Sequence, residues 1–150
     1  MTYLIYLGEE AKVFQNGNPI LEVITNFGFP RKILFYKNEK LILKATQFKC
    51  LFYRSIKIQY QDLKDEIKIT RKNISKYFLL YDNNELCIET HFFKSNYLLN
   101  NKIIGEIRKS KKVTRTYLLY QLEIDSNDEN LNLYFLILDL LHDPNYHDLT

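Results

Sequence analysis

Apolar and polar side chains alternate with a period of two along most of the chain up to Ile124. Ile56 and Ile58, for example, alternate with Lys57 and Gln59. Strands with one apolar and one polar face are typical of antiparallel sheets that are solvated on one side. The pattern therefore predicts a mainly β protein.

Turn-forming residues divide the alternating runs at short, regular intervals. Asn16-Gly17 and Asn100-Asn101 are pairs that tolerate the positive φ angles of tight hairpins. Element ends read from sequence are uncertain by about two to four residues. The runs predict about twelve strands, at 2–7, 10–15, 18–25, 31–37, 40–46, 50–60, 64–72, 76–82, 85–91, 95–99, 102–109 and 115–124.

The pattern changes after Asp125 to a segment that is apolar on every side. Ser126 followed by Glu129 fits a capping box with Ser126 as the N-cap, and Pro144 favours a helix end before it. We therefore expect a helix over about 128–142, followed by a tail at 143–150. A helix that is apolar all round must be enclosed, and at about 20 Å this one is too short to cross a bilayer.

These two halves of the chain suggest one architecture for residues 1–150 as a single domain. A barrel of about twelve strands has an interior too wide for its own side chains to fill. The apolar helix would fill that interior. We predict an antiparallel closed barrel, with strands over 2–124, that encloses the C-terminal hydrophobic α-helix.

Specific residue patterns add a resemblance to this layout. The segment KIIGEIRK at 102–109 is followed by Arg-Thr-Tyr at 115–117, an acidic turn at 123–125 and the apolar helix. Earlier in the chain, NGNPILEV at 16–23 matches an element of the form xGxPIxxV. The chain thereby resembles the tubby-like superfamily, including bacterial LURP-one-related proteins and phospholipid scramblases. The resemblance implies a barrel around a central helix, and a wall that binds anionic lipid.

Charge is divided unevenly along the chain. Residues 1–122 carry all 21 Lys and Arg residues with 11 acids, whereas 123–150 carry seven acids and no Lys or Arg. Such asymmetry fits either an anionic partner for the basic part or attraction between the two parts. Both interpretations stay open.

The remaining composition favours a cytoplasmic protein. Cys50 and Cys87 lie in strand-like runs without metal-binding spacing, which suggests two thiols in a reducing compartment, although one disulfide stays open. The N-terminus lacks the basic region of a signal peptide, and no apolar run is long enough to span a membrane. We expect a cytoplasmic location with peripheral association with a membrane, and we make no prediction of oligomeric state.

The densest basic cluster lies at a predicted hairpin. It is a candidate contact with an anionic membrane surface, where each cation contributes about 1 kcal/mol. A solvated turn that protects a sheet edge would have the same composition. The candidate ligand-binding residues are Arg108, Lys109, Lys111, Lys112 and Arg115.

Three other groups of residues are weaker candidates for a functional site. Aromatic and basic residues interleave over 48–54, but without a known nucleic-acid module, so nucleic-acid binding is disfavoured. His142 and His147 have no standard zinc spacing. Asp139 lies within the apolar helix, where a buried carboxylate needs a donor or must become neutral, and we expect it to anchor the helix.

No catalytic motif or phosphate-binding loop is found in the sequence. We therefore predict a non-enzymatic binding module without a cofactor or metal, whose ligand is the anionic phospholipid headgroup at a membrane surface. The alternative is a protein-interaction, immunity or regulatory module that uses one face of the barrel. A third alternative is an enzyme whose site is assembled from residues distant in sequence.

Overall fold

The computed structural model describes residues 1–7, 10–26, 28–50, 53–71, 76–90, 95–107, 110–113 and 118–142. Within these residues the chain forms thirteen strands and one helix. In chain order they are β1 (Thr2–Leu7), β2 (Glu10–Gln15), β3 (Asn18–Asn26), β4 (Arg31–Lys37), β5 (Lys40–Cys50), β6 (Tyr53–Gln61), β7 (Ile67–Arg71), β8 (Tyr77–Tyr81), β9 (Asn84–Thr90), β10 (Ser95–Leu99), β11 (Lys102–Ile107), β12 (Ser110–Val113), β13 (Leu118–Glu123) and α1 (Glu129–His142).

The strands form two antiparallel sheets rather than one closed barrel. One sheet has eight strands in the order β12-β13-β1-β2-β3-β4-β5-β6, and the other has five in the order β11-β10-β9-β8-β7. Among the described residues neither sheet closes on itself. The predicted mainly β fold with a C-terminal helix is confirmed, whereas the closed, hydrogen-bonded barrel is not what the pairing shows.

The sheets meet at two seams, and at the first seam a side chain takes part in the hydrogen bonding. The chain leaves β6, crosses residues 62–66 and enters β7. Gln61 bridges the gap with its side chain, since its Nε2 donates to the Ile67 carbonyl at 3.2 Å and the Ile67 amide donates to its Oε1 at 2.8 Å. A side-chain amide thus supplies the bonds that a continuing backbone ladder would make.

The second seam lies where β11 gives way to β12. β12 pairs with β13 over Leu118 to Gln121, so this stretch of β13 is already paired on both edges, by β1 and by β12. β11 instead approaches the residues after β13, where a Cβ on Gly105 would lie 3.4 Å from the Asp125 amide nitrogen. The sequence pattern missed β12, because its residues fall between the predicted strands 102–109 and 115–124, where the basic cluster predicts the turn of a hairpin.

Four tight turns join neighbouring strands, and two of them lie at the predicted pairs Asn16-Gly17 and Asn100-Asn101. Each has two central residues with positive φ, which matches the right-handed twist of the flanking strands. Glu39 is the one central residue that is neither Gly, Asn nor Asp. The φ angles are 51° and 78° at Asn16-Gly17, 50° and 64° at Asn38-Glu39, 40° and 60° at Asp82-Asn83, and 51° and 65° at Asn100-Asn101.

The helix is buried as its composition predicts. All residues from Leu131 to Leu141 are buried except Leu133, which is half-buried. Both sheets contribute to its surroundings: Gln47 of the larger sheet donates to the Leu141 carbonyl at 3.5 Å, and Tyr97 of the smaller sheet packs against Phe135 at 4.4 Å. The helix therefore lies between the two sheets.

The N-cap of α1 is Asp128, and the predicted assignment of Ser126 is wrong. Asp128 Oδ1 accepts hydrogen bonds from the amides of Asn130 at 3.0 Å and Leu131 at 3.2 Å, which are the donors that an N-cap side chain satisfies. Ser126 Oγ accepts a hydrogen bond from the Asp128 amide at 3.1 Å, so Ser126 lies before the N-cap residue and outside the helix. A carboxylate also suits the positive end of the helix dipole, which favours Asp128 for the cap.

Candidate anion-binding face

The outward side of β4, β5 and β6 carries a lysine on each strand. Ile33 and Phe35 of β4 are fully buried, so Lys32 points to the opposite, solvent side. Leu43 and Ala45 of β5 are likewise buried, which puts Lys44 and Thr46 outward. On β6 the outward residue is Lys57, because Ile56 and Ile58 pack against the core.

The register of the three strands brings these lysines around one threonine. Lys32 of β4 lies opposite Thr46 of β5, and Thr46 lies opposite Lys57 of β6. Neighbouring strands lie about 4.8 Å apart, so Lys32 and Lys57 flank Thr46 with about 10 Å between their backbones. Lys44 lies two residues from Thr46 on the same face, about 7 Å along the strand. Lys32, Lys44 and Lys57 are called the lysine triangle below.

The lysine triangle is not neutralised by acids of the described chain. Lys12 pairs with Glu10 at 3.7 Å, Lys40 with Asp62 at 2.5 Å and Lys76 with Glu89 at 2.6 Å. Hydrogen bonds to Asp62 and Glu89 raise the pKa of Lys40 and of Lys76. None of the three ammonium groups of the triangle has an ion pair within the described ranges. Their positive charge is therefore available to an external anion.

Charge changes sign along the outer side of the larger sheet. Glu22 of β3 lies opposite Tyr36 of β4. Lys44 lies opposite Leu34, which is two residues before Tyr36 on β4. Burial raises the pKa of Glu22, and the neighbouring Glu10 raises it further. The outward acids Glu10 and Glu22 thus lie on β2 and β3 together with Lys12, whereas β4 to β6 carry the lysine triangle.

Aromatic rings border the triangle at both ends. Phe48 points outward two residues beyond Thr46, and the ring of Phe29, from the turn before β4, packs against it at 4.6 Å with a tilt of 54°. Phe29 is 71% exposed. At the other end Tyr60, 45% exposed, lies opposite Lys44. The face therefore combines outward-pointing cations with the exposed rings of Phe29 and Tyr60.

Chemically, the face is suited to binding an anion. Three cationic groups around a hydroxyl can contact several oxygens of one phosphate-bearing group or of neighbouring groups. The Thr46 hydroxyl donates a long hydrogen bond, 3.5 Å, to the Lys57 carbonyl. The lone pairs of the Thr46 oxygen are therefore available to a ligand. The side chains of the face include no carboxylate that would act as a general base.

The structure puts the sequence-predicted cluster elsewhere. Lys111 and Lys112 lie on β12, at the edge of the larger sheet opposite to β6, with six strands between. Arg108, Lys109 and Arg115 lie outside the described residues. Of the interleaved segment 48–54, residues 48–50 end β5 and 53–54 begin β6.

The lysine triangle was missed because its members are far apart in sequence. Lys32 follows Arg31 in one run, and Lys57 lies in another run that also holds Arg54, so neither lysine stands out in the sequence. Their proximity depends on the order β4-β5-β6 and on the register across Thr46. A sequence signal does exist, namely an outward lysine on each of three consecutive strands, but without the register it does not distinguish one patch from scattered charges.

Asp139 is buried in the helix as expected from its position. Its negative charge, added to the larger effect of complete burial, holds the pKa of Tyr97 well above its usual range. Tyr97 therefore stays a neutral phenol, and Tyr97 and Asp139 belong to the core. The predicted role of Asp139 as an anchor stays a prediction.

The described residues do not form a metal cluster or a membrane-spanning helix. The described residues hold no group of three or more His, Cys, Asp and Glu side chains that would bind a metal. His142 ends α1, and residues 143–150 lie outside the described part. No helix in the described part is long and apolar enough to cross a membrane. Comparisons of the chain with models of protein families, with curated proteins and with solved structures found no match.

Proposed function

We propose that this chain is a non-enzymatic binding module of the tubby-like type that binds anionic phospholipid headgroups at a membrane surface. The observation that supports this most directly is the lysine triangle, with three outward ammonium groups lacking ion pairs in the described chain. In this proposal the two sheets form a barrel-like wall around α1, and β4 to β6 are the part of that wall that meets the lipid.

The size of the effect follows from the number of cations. Each Lys or Arg close to an anionic bilayer contributes about 1 kcal/mol, so the triangle contributes about 3 kcal/mol, or roughly a hundredfold in affinity. This attraction acts within a Debye length of about 8 Å at physiological salt. Binding should therefore weaken steeply as salt is added.

The basic hairpin is retained as a second candidate contact. Arg108, Lys109, Lys111, Lys112 and Arg115 would add to the attraction if the same bilayer reached them. Six strands separate β12 from β6, so the two clusters need not contact one flat surface. The triangle is therefore the primary site in this proposal. A cytoplasmic protein that is peripherally bound to the membrane would fit it.

Charge reversal of the triangle tests the proposal. Purified protein is sedimented with vesicles of phosphatidylcholine alone and with vesicles of equimolar phosphatidylcholine and phosphatidylserine, over a range of salt concentrations. The variant carries Lys32→Glu, Lys44→Glu and Lys57→Glu. We expect it to lose at least about a hundredfold in affinity for the anionic vesicles, because three attractions become repulsions.

A matched variant controls for net charge. Lys64→Glu, Lys68→Glu and Lys102→Glu change the total charge equally, at exposed positions on the crossover and the smaller sheet. It should keep most of the wild-type affinity. Equal losses of affinity in the two variants would contradict the proposal. So would wild-type protein that does not bind the anionic vesicles. A salt-insensitive complex with another protein would then favour the interaction-module alternative.

A further inference from the structure

Phe29 is the most exposed large hydrophobic side chain in the described residues, at 71%. It lies on the short turn, residues 28–30, that separates β3 from β4. One side of its ring is covered by Phe48, 4.6 Å away, so the ring is supported by the sheet and projects beyond it. A single exposed hydrophobic residue is ordinary, and its meaning depends on its neighbours.

Phe48, the ring against which Phe29 packs, lies on the same outward side of the sheet as the lysine triangle. Phe48 points to the same outward side as Thr46, two residues away on β5, and Thr46 is flanked by Lys32 and Lys57. The ring of Phe29 therefore lies at the end of the basic face, about two rows of side chains beyond the triangle's centre. An aromatic ring next to lysines is the composition of proteins that lie in a membrane interface, where the ring enters the headgroup boundary and the cations meet phosphates.

We propose that Phe29 inserts into the interfacial layer of an anionic bilayer, with Phe48 as its support and Lys32 and Lys57 in contact with the headgroups behind it. This inference rests on the proposed function, and it specifies the partner as a bilayer surface rather than a soluble anion. It also orients the domain, because the 28–30 turn then faces the membrane. Charge complementarity and the exposed ring are independent observations, and both point to the same end of the face.

The chain offers a clean way to detect insertion, because it contains no tryptophan. Phe29→Trp introduces a single tryptophan at the exposed turn, which is excited selectively at wavelengths longer than those the twelve tyrosines absorb. With equimolar phosphatidylcholine and phosphatidylserine vesicles, its emission should shift to shorter wavelength, and phospholipids brominated on their acyl chains should quench it. Ile103→Trp is the matched control, since Ile103 is 63% exposed but lies on β11 in the other sheet. Its emission should not change.

A second variant measures the contribution of the ring to affinity. Phe29→Ala removes the exposed ring, and burial of a full phenylalanine side chain is worth about tenfold to a hundredfold in affinity. We expect a loss of about tenfold toward the anionic vesicles, with unchanged thermal stability. Ile103→Ala should bind like wild type.

The outcomes separate this inference from the function on which it rests. If wild type binds anionic vesicles through the lysine triangle, but Trp emission at position 29 stays unshifted and Phe29→Ala binds normally, the insertion is wrong and the headgroup contact stands. If inositol hexakisphosphate in solution binds as tightly as vesicles and is unaffected by Phe29→Ala, the partner is a soluble anion and the inference is overturned. If wild type binds neither, both proposals fail.

Discussion

Tyr134 and Asp65 are joined by two hydrogen bonds. The phenol of Tyr134 donates to Asp65 Oδ2 at 2.9 Å and accepts from the Asp65 amide at 3.1 Å. Tyr134 is a buried residue of α1, whereas Asp65 lies in the crossover at 62–66 between the two sheets. One side chain thereby fastens the central helix to the first seam, and the ring of Tyr81 supports it at 4.7 Å.

Replacement of this phenol should destabilise the fold without changing the lysine triangle. Tyr134→Phe removes both hydrogen bonds and leaves the Asp65 groups without this partner, at a cost of about 1–3 kcal/mol. Urea unfolding would measure the loss as a lower midpoint with an unchanged slope. Tyr60→Phe, at an exposed position, is the control and should unfold like wild type. A Tyr134→Phe midpoint equal to that of wild type would show that the two bonds add nothing.

The same residue predicts a loss of stability at alkaline pH. Burial, and then the hydrogen bond to Asp65, raise the pKa of Tyr134 to about 12, whereas an unfolded tyrosine ionises near about 10. Between these values the unfolded chain releases this proton first, so the free energy of unfolding falls as pH rises. The difference in unfolding free energy between wild type and Tyr134→Phe should therefore shrink from pH 9 toward pH 12, roughly over the interval between the two pKa values. A constant difference would contradict the raised pKa.

Substitutions at the start of α1 distinguish the two capping assignments. Asp128→Ala removes the acceptor for the amides of Asn130 and Leu131, and we expect a loss of about 0.5–2 kcal/mol in unfolding free energy. Ser126→Ala removes one exposed bond outside the helix and should cost less. Chemical denaturation of the two variants side by side tests this order. A larger loss for Ser126→Ala would restore the capping box predicted from sequence.

The turn between β4 and β5 carries strain that a substitution should relieve. Glu39 has a φ of 64°, in the left-handed region that costs a residue with a Cβ about 1–2 kcal/mol. Glu39→Gly should therefore raise the melting temperature, although glycine also gives the unfolded chain more freedom. Lys37→Gly, in the neighbouring strand, should lower it. Calorimetry that finds both variants destabilised would show that the turn is not strained at Glu39.

Charge reversal of the hairpin compares the two basic clusters. Lys109→Glu, Lys111→Glu and Lys112→Glu leave the apolar pattern intact, so the fold should survive. Because Lys111 and Lys112 lie at the edge opposite to β6, we expect a smaller loss of vesicle binding than for reversal of the lysine triangle. Sedimentation of both variants with the same anionic vesicles measures the difference. The reverse order would move the primary site to the hairpin.

Local patterns in the sequence determined much of the architecture. Alternation predicted most of the strands, because a strand that is buried on one face repeats every two residues. Asn16-Gly17 and Asn100-Asn101 predicted hairpins, because Asn and Gly tolerate the positive φ angles of tight turns. This preference is also a local property of the sequence. The run from Leu131 to Leu141 predicted a buried helix, because apolar side chains on every side leave no face for water.

Tertiary structure decided how these elements are paired and which polar groups meet. The twelve-strand pattern did not reveal two sheets, because the division depends on which strands pair, and some partners, such as β1 and β13, are far apart in sequence. Nor did it reveal the lysine triangle, whose members Lys32, Lys44 and Lys57 become neighbours only through the register of β4, β5 and β6. Strand periodicity says which face a residue takes, but the residues beside it belong to other strands. Those neighbours are set by long-range pairing, which a local sequence pattern does not determine.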